Sequence, residues 1–174
     1  MRLQDVCELM YEWDSRGRYV FTKSDLRTLF DERDPALFKT LERVVAAGVL
    51  TRAASGVYVN RRSAHLGGYT VELVAQALRR REFNYVSYES ALSEYGAISQ
   101  IPIGRLTLAT TGRSGVFPTP FGTIEFTHTG RDIGQILDGI VERPPHPVPI
   151  AKQWLAEQNL RDSNRNVFML QEVS

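Results

Sequence analysis

The stretch of sequence that decides the fold covers residues 21–62 and reads FTKSDLRTLFDERDPALFKTLERVVAAGVLTRAASGVYVNRR. Thr22 and Ser24 offer N-caps for a short helix. Asp34-Pro35 ends that helix and begins another, because proline fits the first turn of a helix and no later turn. Apolar side chains follow on the second helix with helical spacing, at Leu37, Leu41, Val44 and Val45. The stretch therefore predicts two helices joined by a short turn.

Two β-prone runs come next and predict a hairpin. Gly48 stands where the C-terminus of a helix favours a residue at positive φ. Residues 49–51 and 57–59 are expected to form strands, with residues 53–56 as the tip between them. Residues 19–21 form a further β-prone run, which we expect to pair with the hairpin.

These elements together are typical of a winged helix-turn-helix, in which the hairpin is the wing. An amphipathic helix predicted over residues 3–13 completes the core. The second helix of the pair is apolar on one face and cationic on the other, so it suits the major groove of DNA. The residues that we expect to contact DNA are Lys23, Ser24, Ala36, Lys39, Thr40, Arg43, Arg52, Ser55, Tyr58, Arg61 and Arg62.

The charge distribution favours the same surface. Residues 39–62 hold five cations and one anion, a local net charge of +4, whereas the whole chain is only +1. Residues 1–65 hold 11 cations and 9 anions, and the rest of the chain holds 10 and 11. A local excess of this kind indicates a placed cationic surface. Solvated cations on a helix that docks a protein are the alternative interpretation.

A change of pattern predicts a domain boundary near Gly67 and Gly68, which read as a linker. We therefore expect a winged helix-turn-helix domain over residues 1–66 and a second domain over residues 67–174. The second domain opens with a helix predicted over residues 69–82. This helix is expected to end with three arginines, Arg79, Arg80 and Arg81. Their charges either interact favourably with the helix dipole or contact flanking phosphates of the DNA.

The second domain reads as a small α+β unit with an antiparallel sheet. Ser87 is expected to N-cap a helix over residues 88–95. Alternating patterns predict strands over residues 105–111 and 123–129, and a further helix is expected over residues 148–159. The fold class predicted for the chain is thus α+β, an N-terminal winged helix-turn-helix followed by a small α+β domain.

Composition narrows the class of protein. The chain has 174 residues, of which 43% are hydrophobic and 24% charged, values that are ordinary for a globular protein. Cys7 has no partner for an internal disulfide and is expected to be a buried apolar residue. No apolar run has the length of a membrane span, and the first residues lack the apolar core of a signal peptide. We therefore expect a cytoplasmic protein without a membrane partner.

Catalytic patterns are weak in this sequence. The best cluster is His128 with Glu125 and Asp132, but strand alternation puts Glu125 and His128 on opposite faces. No glycine-rich phosphate loop is present. We expect no enzyme activity, no cofactor and no metal, although a site assembled from distant residues stays open as an alternative.

The middle of the second domain resembles a known family. The run YVSYESALSEYGAISQIPIGRLTLAT, followed by FGTIEFTH, is similar to AbiEi-type antitoxins, the transcriptional regulators of type IV toxin–antitoxin (abortive infection) systems. The wing is also similar to that family at residues 56–59, and the tail from Arg143 departs from its pattern. The motifs that carry the resemblance are Ser90-Ala91-Leu92, Gly96, Gln100-Ile101-Pro102 and Gly122-Thr123-Ile124-Glu125-Phe126.

The resemblance implies a function in phage defence. A member of this family represses its own operon by binding inverted repeats in the promoter. Its functional partner is a nucleotidyltransferase-like toxin, which it opposes without a stable complex. The alternatives are a winged-helix module that binds proteins and a general transcription regulator without a toxin partner.

Overall fold

The computed structural model describes residues 1–99 and 102–170, and the chain divides into two compact units, Met1–Leu78 and Arg79–Ser174. The division lies after residue 78, not at residues 66/67 as the two glycines suggested. The reason is that helix α4, Thr70–Leu78, packs against the sheet of the first unit. The hydroxyl groups of Tyr19 and Thr70 lie 3.1 Å apart in this contact.

Three helices precede α4 in the first unit: α1, Leu3–Ser15; α2, Lys23–Phe30; and α3, Asp34–Ala46. Thr22 is the N-cap of α2, because its hydroxyl oxygen accepts a hydrogen bond from the backbone amide of Asp25 at 3.1 Å. Ser24, the other candidate cap, lies inside the helix. Pro35 occupies the first turn of α3, where the missing amide proton costs nothing. The two helices and the turn between them are therefore as predicted.

A three-stranded antiparallel sheet completes the first unit. Its strands are β1, Val20–Thr22; β2, Leu50–Ala54; and β3, Val57–Asn60, in the spatial order β1-β3-β2. Gly48 follows α3 at φ +69°, and Gly56 lies in the hairpin turn at φ +72°. Both positions favour glycine because a Cβ strains this backbone conformation. The hairpin and its pairing with β1 are confirmed.

Apolar side chains from all three leading helices and the sheet meet in one core. Cys7 is only half-buried against this core, so the expectation of a fully buried thiol is wrong. The buried members are Val6, Met10, Phe21, Leu26, Phe30, Leu37, Leu41, Val44, Val49, Leu50 and Tyr58.

The second unit is built on a six-stranded sheet in the order β6-β7-β5-β4-β9-β8. β5 runs parallel to β7 and β4 parallel to β9, so the sheet is mixed and the predicted antiparallel sheet is wrong in this respect. Pro118 in β6 gives a physical reason. Proline lacks the backbone amide donor that would pair with a neighbouring strand, so β6 suits the edge of the sheet. The strand beside β5 is then β7 and not β6. The strands are β4, Asn84–Val86; β5, Arg105–Thr110; β6, Gly115–Thr119; β7, Gly122–His128; β8, Ile140–Val141; and β9, Ile150–Ala151.

In the described part of the second unit, three α-helices and a short 3₁₀ helix, Val167–Met169, accompany this sheet. The α-helices are α5, Tyr88–Glu94; α6, Ile133–Gly139; and α7, Gln153–Asp162. The helix expected over residues 148–159 begins later, because Ile150 is paired with β4 in the sheet. Sequence analysis missed α6. The Gln100-Ile101 part of the family motif lies outside the described residues. In residues 1–99 and 102–170, no helix has both the length and the apolar character needed to cross a membrane.

Candidate nucleic-acid interface

The exposed face of α3 is the centre of the candidate interface. Leu37, Leu41 and Val44 are buried in the core, so the opposite stripe of the helix faces solvent. Phe38 is a large apolar side chain on this helix and is 58% exposed. The exposed residues of the helix are Asp34, Pro35, Ala36, Phe38, Lys39, Glu42, Arg43 and Ala46.

Two residues expected at this surface are buried instead. Thr40 is 3% exposed, and its hydroxyl donates a hydrogen bond to Glu32 Oε1 at 3.1 Å. It lies three residues after Leu37 and so shares the buried side of the helix. Tyr58 is 8% exposed and belongs to the core of the first unit. The prediction that Thr40 and Tyr58 present their side chains to DNA is therefore wrong.

Arg43 is exposed but already has a partner within the chain. Its guanidinium donates a hydrogen bond to the backbone carbonyl of Met1, and the terminal ammonium group of Met1 pairs with Glu32. Burial raises the pKa of Glu32, but hydrogen bonds from that ammonium and from Thr40 outweigh it and hold the pKa below its ordinary value. One nitrogen of the Arg43 guanidinium is therefore already engaged by the Met1 carbonyl, which leaves fewer donors for another acceptor.

Several exposed cations of the first unit have no anionic partner. Arg52 lies on β2 and Arg61 directly after β3, and Lys39 is on the open face of α3. Arg33, at the N-cap position of α3, belongs with them, although the sequence interpretation overlooked it. None of these four side chains makes an ion pair with residues 1–99 or 102–170. Unpaired cations are the groups that attract a polyanion without first breaking an existing contact.

Two other residues predicted to contact DNA, Lys23 and Arg62, already interact with side chains of the first unit. Lys23 lies 3.3 Å from Asp34, which also binds Arg27 at 2.5 Å. Hydrogen bonds from Arg27 and Lys23 hold the pKa of Asp34 below its ordinary value. The Arg62 guanidinium is 3.8 Å from the sulfur of Cys7. Ser24 and Ser55 are both exposed, Ser55 in the turn of the hairpin.

The three arginines after α4 differ from one another. The helix ends at Leu78, so they lie in the turn that follows it and not in its last turn as predicted. The Arg79 guanidinium lies 5.1 Å from the ring centroids of both Phe117 and Phe126, which gives it a structural role in the second unit. Arg80 and Arg81 are exposed and stay candidates for contact with phosphate.

The titratable clusters considered for catalysis belong to the second unit. His128 Nδ1 is 2.8 Å from the carbonyl oxygen of Gly112, a contact that orients the ring within the second unit. No group of three or more His, Cys, Asp or Glu side chains with metal-binding geometry occurs in the part of the chain that the structure describes. A cavity of about 450 Å³ in the second unit is lined by charged residues that include Glu89, Glu125 and Arg165.

Comparison with known proteins shows a likeness of fold. The chain is similar to the RV2827C protein from Mycobacterium tuberculosis, known from a crystal structure, with a TM-score of 0.52 and 14% sequence identity. The match covers 95% of this chain and 55% of the other, so this chain spans about half the length of that protein. No protein-family model and no curated protein matches the sequence. The fold is thus a mixed α+β arrangement that recurs in a solved structure.

Proposed function

We propose that the chain is a DNA-binding transcription regulator whose first unit is a winged helix-turn-helix. The observation that carries this proposal is the element order α1-β1-α2-α3-β2-β3 with the sheet order β1-β3-β2. In a winged helix-turn-helix the helix before the hairpin enters the major groove, and the hairpin reaches along the DNA backbone. α3 and the β2–β3 hairpin occupy those positions in the chain.

The unpaired cations suit these two roles. Lys39 extends from the open face of α3 toward the place where base edges would lie, and Arg33 stands at the N-terminus of the same helix. Arg52 lies on β2 of the hairpin and Arg61 directly follows β3, where a wing would meet phosphates or the minor groove. Since each phosphate contact releases condensed counterions, such a surface binds DNA with a steep dependence on salt.

We further propose that the regulator is the antitoxin of a type IV toxin–antitoxin operon. The support is the resemblance of the second unit to AbiEi-type antitoxins, together with the winged architecture proposed for the first. The chain would repress its own promoter by binding inverted repeats. The functional partner would be a nucleotidyltransferase-like toxin, opposed without a stable complex. A nucleotidyltransferase reading frame beside the gene and rescue of its toxicity by this chain would test that step.

The DNA-binding proposal is tested by titrating the full chain against a fragment of its own promoter. The logarithm of affinity should fall linearly with the logarithm of salt concentration between about 50 and 200 mM. A variant in which Lys39, Arg52 and Arg61 are all alanine should lose most of the binding. Arg16→Ala is the matched control, because Arg16 is an exposed cation already paired with Glu12 at 2.6 Å. Equal binding by the triple variant and the control would refute the interface.

A second function is favoured by one observation, the exposure of Phe38 on α3. A large apolar side chain on an open helix face is also typical of a surface that docks a protein. The two functions differ in their response to salt and to substitution. A protein-docking surface would lose its partner in Phe38→Ala and show a shallow salt dependence, whereas the DNA surface depends on the cations.

A further inference from the structure

The guanidinium of Arg165 is held in a pocket built by side chains of the second unit. Glu89 binds it with both carboxylate oxygens, at 3.1 Å from Nε and 3.0 Å from Nη2. Nη1 donates to Glu125 Oε1 at 2.5 Å and to Thr127 Oγ1 at 3.0 Å. The guanidinium carbon lies 5.1 Å from the centroid of the Tyr88 ring. Two carboxylates, a hydroxyl and an aromatic face together match a guanidinium, with its planar fork of donors.

The walls of this pocket belong to the regular elements of the unit. Glu89 lies in the first turn of α5 and is buried, although it carries a charged group. Glu125 and Thr127 are alternate residues of β7 and therefore face the same side of the sheet. Tyr88, at the start of α5, is also buried. The carboxylates are thus carried by a helix and a strand, and not by the segment that holds Arg165.

The segment that carries Arg165 is attached to the second unit in a different way from the helix and strand that carry the carboxylates. We define the latch as residues 164–170, all of which the structure describes, and none of these residues is buried. Phe168 is 79% exposed. Apart from Arg165, the latch is held by polar contacts such as Asn166 Nδ2 to Glu89 Oε1 at 2.8 Å and the Ser99 amide to the Met169 carbonyl at 3.0 Å. A segment with little buried apolar surface opens more easily than the elements that it covers.

Beside the pocket lies the cavity of about 450 Å³, whose lining includes Pro102, Thr107 and Met169. Ile103, which follows Pro102, is 92% exposed, and Phe168, which precedes Met169, is also open to solvent. The charged pocket therefore adjoins unfilled space, and two residues adjacent in sequence to its lining have exposed apolar side chains. A partner chain with apolar residues beside an arginine would bind the charged pocket with the arginine and contact exposed apolar side chains with its apolar residues.

We propose that Glu89, Glu125 and Tyr88 form a docking pocket for an arginine side chain of a partner protein, which Arg165 occupies in the absence of that partner. The exchange replaces one guanidinium by another, because a buried carboxylate left without a cation is strongly destabilising. A lysine of the partner serves poorly, since a single ammonium group does not reproduce the bidentate contact with Glu89. Arg105, 2.5 Å from Glu125 on the other carboxylate oxygen, stays in place throughout. The proposal is independent of DNA binding.

The first experiment is chemical rescue in the full chain. Arg165→Ala should lower the melting temperature, and propylguanidinium should restore it, whereas propylamine at the same concentration should not. Arg161→Ala, which removes an exposed arginine of α7, is the matched control and should respond to neither compound. If Arg165→Ala does not fold, Arg165→Lys is used in its place. If propylguanidinium and propylamine raise the melting temperature of the variant equally, the pocket does not select a guanidinium and the proposal is wrong.

The second experiment tests exchange with a partner. The probes are capped tripeptides, Leu-Arg-Leu, Leu-Lys-Leu and Leu-citrulline-Leu, titrated into the wild-type chain and Arg165→Ala and followed by NMR. Only the arginine peptide should bind, and its affinity for Arg165→Ala should be about tenfold or more above that for wild type, because the latch competes. In wild type the peptide should also speed amide exchange in the latch. Equal affinity for both chains, or latch amides that exchange only by global unfolding, would show that Arg165 is a fixed structural residue.

Discussion

The Asn159 side-chain amide of α7 donates hydrogen bonds to the hydroxyl oxygens of Tyr85 and Ser87, each at 3.0 Å. Asn159 is buried, and so are both acceptors. These contacts connect α7 with β4 and with the residue that precedes α5. Because buried polar groups are costly when unpaired, a helix with one correctly placed amide is fixed in its orientation on the sheet.

The first prediction concerns this amide. Asn159→Ala removes the donor and leaves two buried hydroxyl groups without it, so the free energy of unfolding should fall by about 1–3 kcal/mol. Urea unfolding followed by circular dichroism provides the measurement. Gln158→Ala, at the exposed neighbouring position, should change stability by less than about 0.5 kcal/mol. Equal effects of the two substitutions would contradict the role of Asn159.

A second prediction separates the two cations of α3 that the sequence analysis selected for base contact. Lys39 is unpaired within the described chain, whereas Arg43 is bound to the Met1 carbonyl. Lys39→Ala should therefore weaken specific binding by about 1–3 kcal/mol if it reads a guanine, and Arg43→Ala should cost less. Anisotropy titrations with the promoter fragment and with random DNA distinguish base contact from phosphate contact. A larger loss for Arg43→Ala would show that Arg43 exchanges Met1 for DNA.

The hairpin carries the third prediction. Arg52 on β2 and Arg61 directly after β3 are exposed cations without an ion pair in the described part of the chain, so each should contact a phosphate. Arg52→Ala and Arg61→Ala should weaken binding to all sequences alike and reduce the slope of log affinity against log salt by about one unit each. Ser55→Ala at the turn leaves the charge unchanged and serves as the control. Two unaltered slopes would mean that the hairpin does not touch DNA.

The fourth prediction uses the acid dependence of stability. Burial raises the pKa of Glu125, but hydrogen bonds from Arg165 and Arg105 outweigh it, and the net pKa lies below its ordinary value of 4.5. The unfolded chain then binds this proton at higher pH than the folded chain does. The stabilising contribution of Glu125 is therefore complete above about pH 4.5 and is lost as the pH falls further through the folded pKa.

The measurement is urea unfolding of wild type and Glu125→Gln from neutral pH to pH 3. The difference in unfolding free energy should be constant in the upper part of this range and should shrink below about pH 4.5. Glu142→Gln, at an exposed position, is the control for the loss of one carboxylate. A difference that grows toward low pH would mean that the folded pKa of Glu125 is raised.

Local signals account for the parts of the fold that sequence analysis predicted. Thr22 and Gly48 act through their own backbone neighbours, so the ends of α2 and α3 could be read directly from the residue types. Ser87 stands at the N-cap position of α5 as predicted, but its hydroxyl accepts a hydrogen bond from an amide 72 residues away and does not cap the helix. Likewise, Ile150 became part of a strand because β4 was there to pair with it. Partners distant in sequence are not visible in a pattern of neighbouring residues.

The same limit applies to the candidate surface. The apolar stripe of α3 predicted which face is open, and Lys39 lies on it. Two contacts were not visible in that stripe. The hydroxyl of Thr40, which is buried, donates a hydrogen bond to Glu32 across the turn between α2 and α3, and the Arg43 guanidinium donates one to the Met1 carbonyl. Arg33 was overlooked because an arginine at an N-cap carries no helix signal of its own.

The last prediction concerns the boundary of the first unit. Val74 and Ala75 of α4 are fully buried, and Thr70 of the same helix contacts the Tyr19 hydroxyl. A fragment of residues 1–78 should therefore unfold cooperatively, whereas residues 1–66, the domain expected from the glycines, should be less stable. Burial of Val74 alone is worth about 1.5–3 kcal/mol, a large share of the stability of so small a domain.

Urea unfolding of the two fragments, side by side, measures the difference. Val74→Ala in the longer fragment tests the mechanism and should move its midpoint toward that of the shorter one, whereas Gln76→Ala at an exposed position of α4 should have little effect. If residues 1–66 unfold at the same urea concentration as residues 1–78, α4 contributes nothing to the first unit. The boundary would then lie at the glycines after all, and α4 would have to be assigned to the second unit.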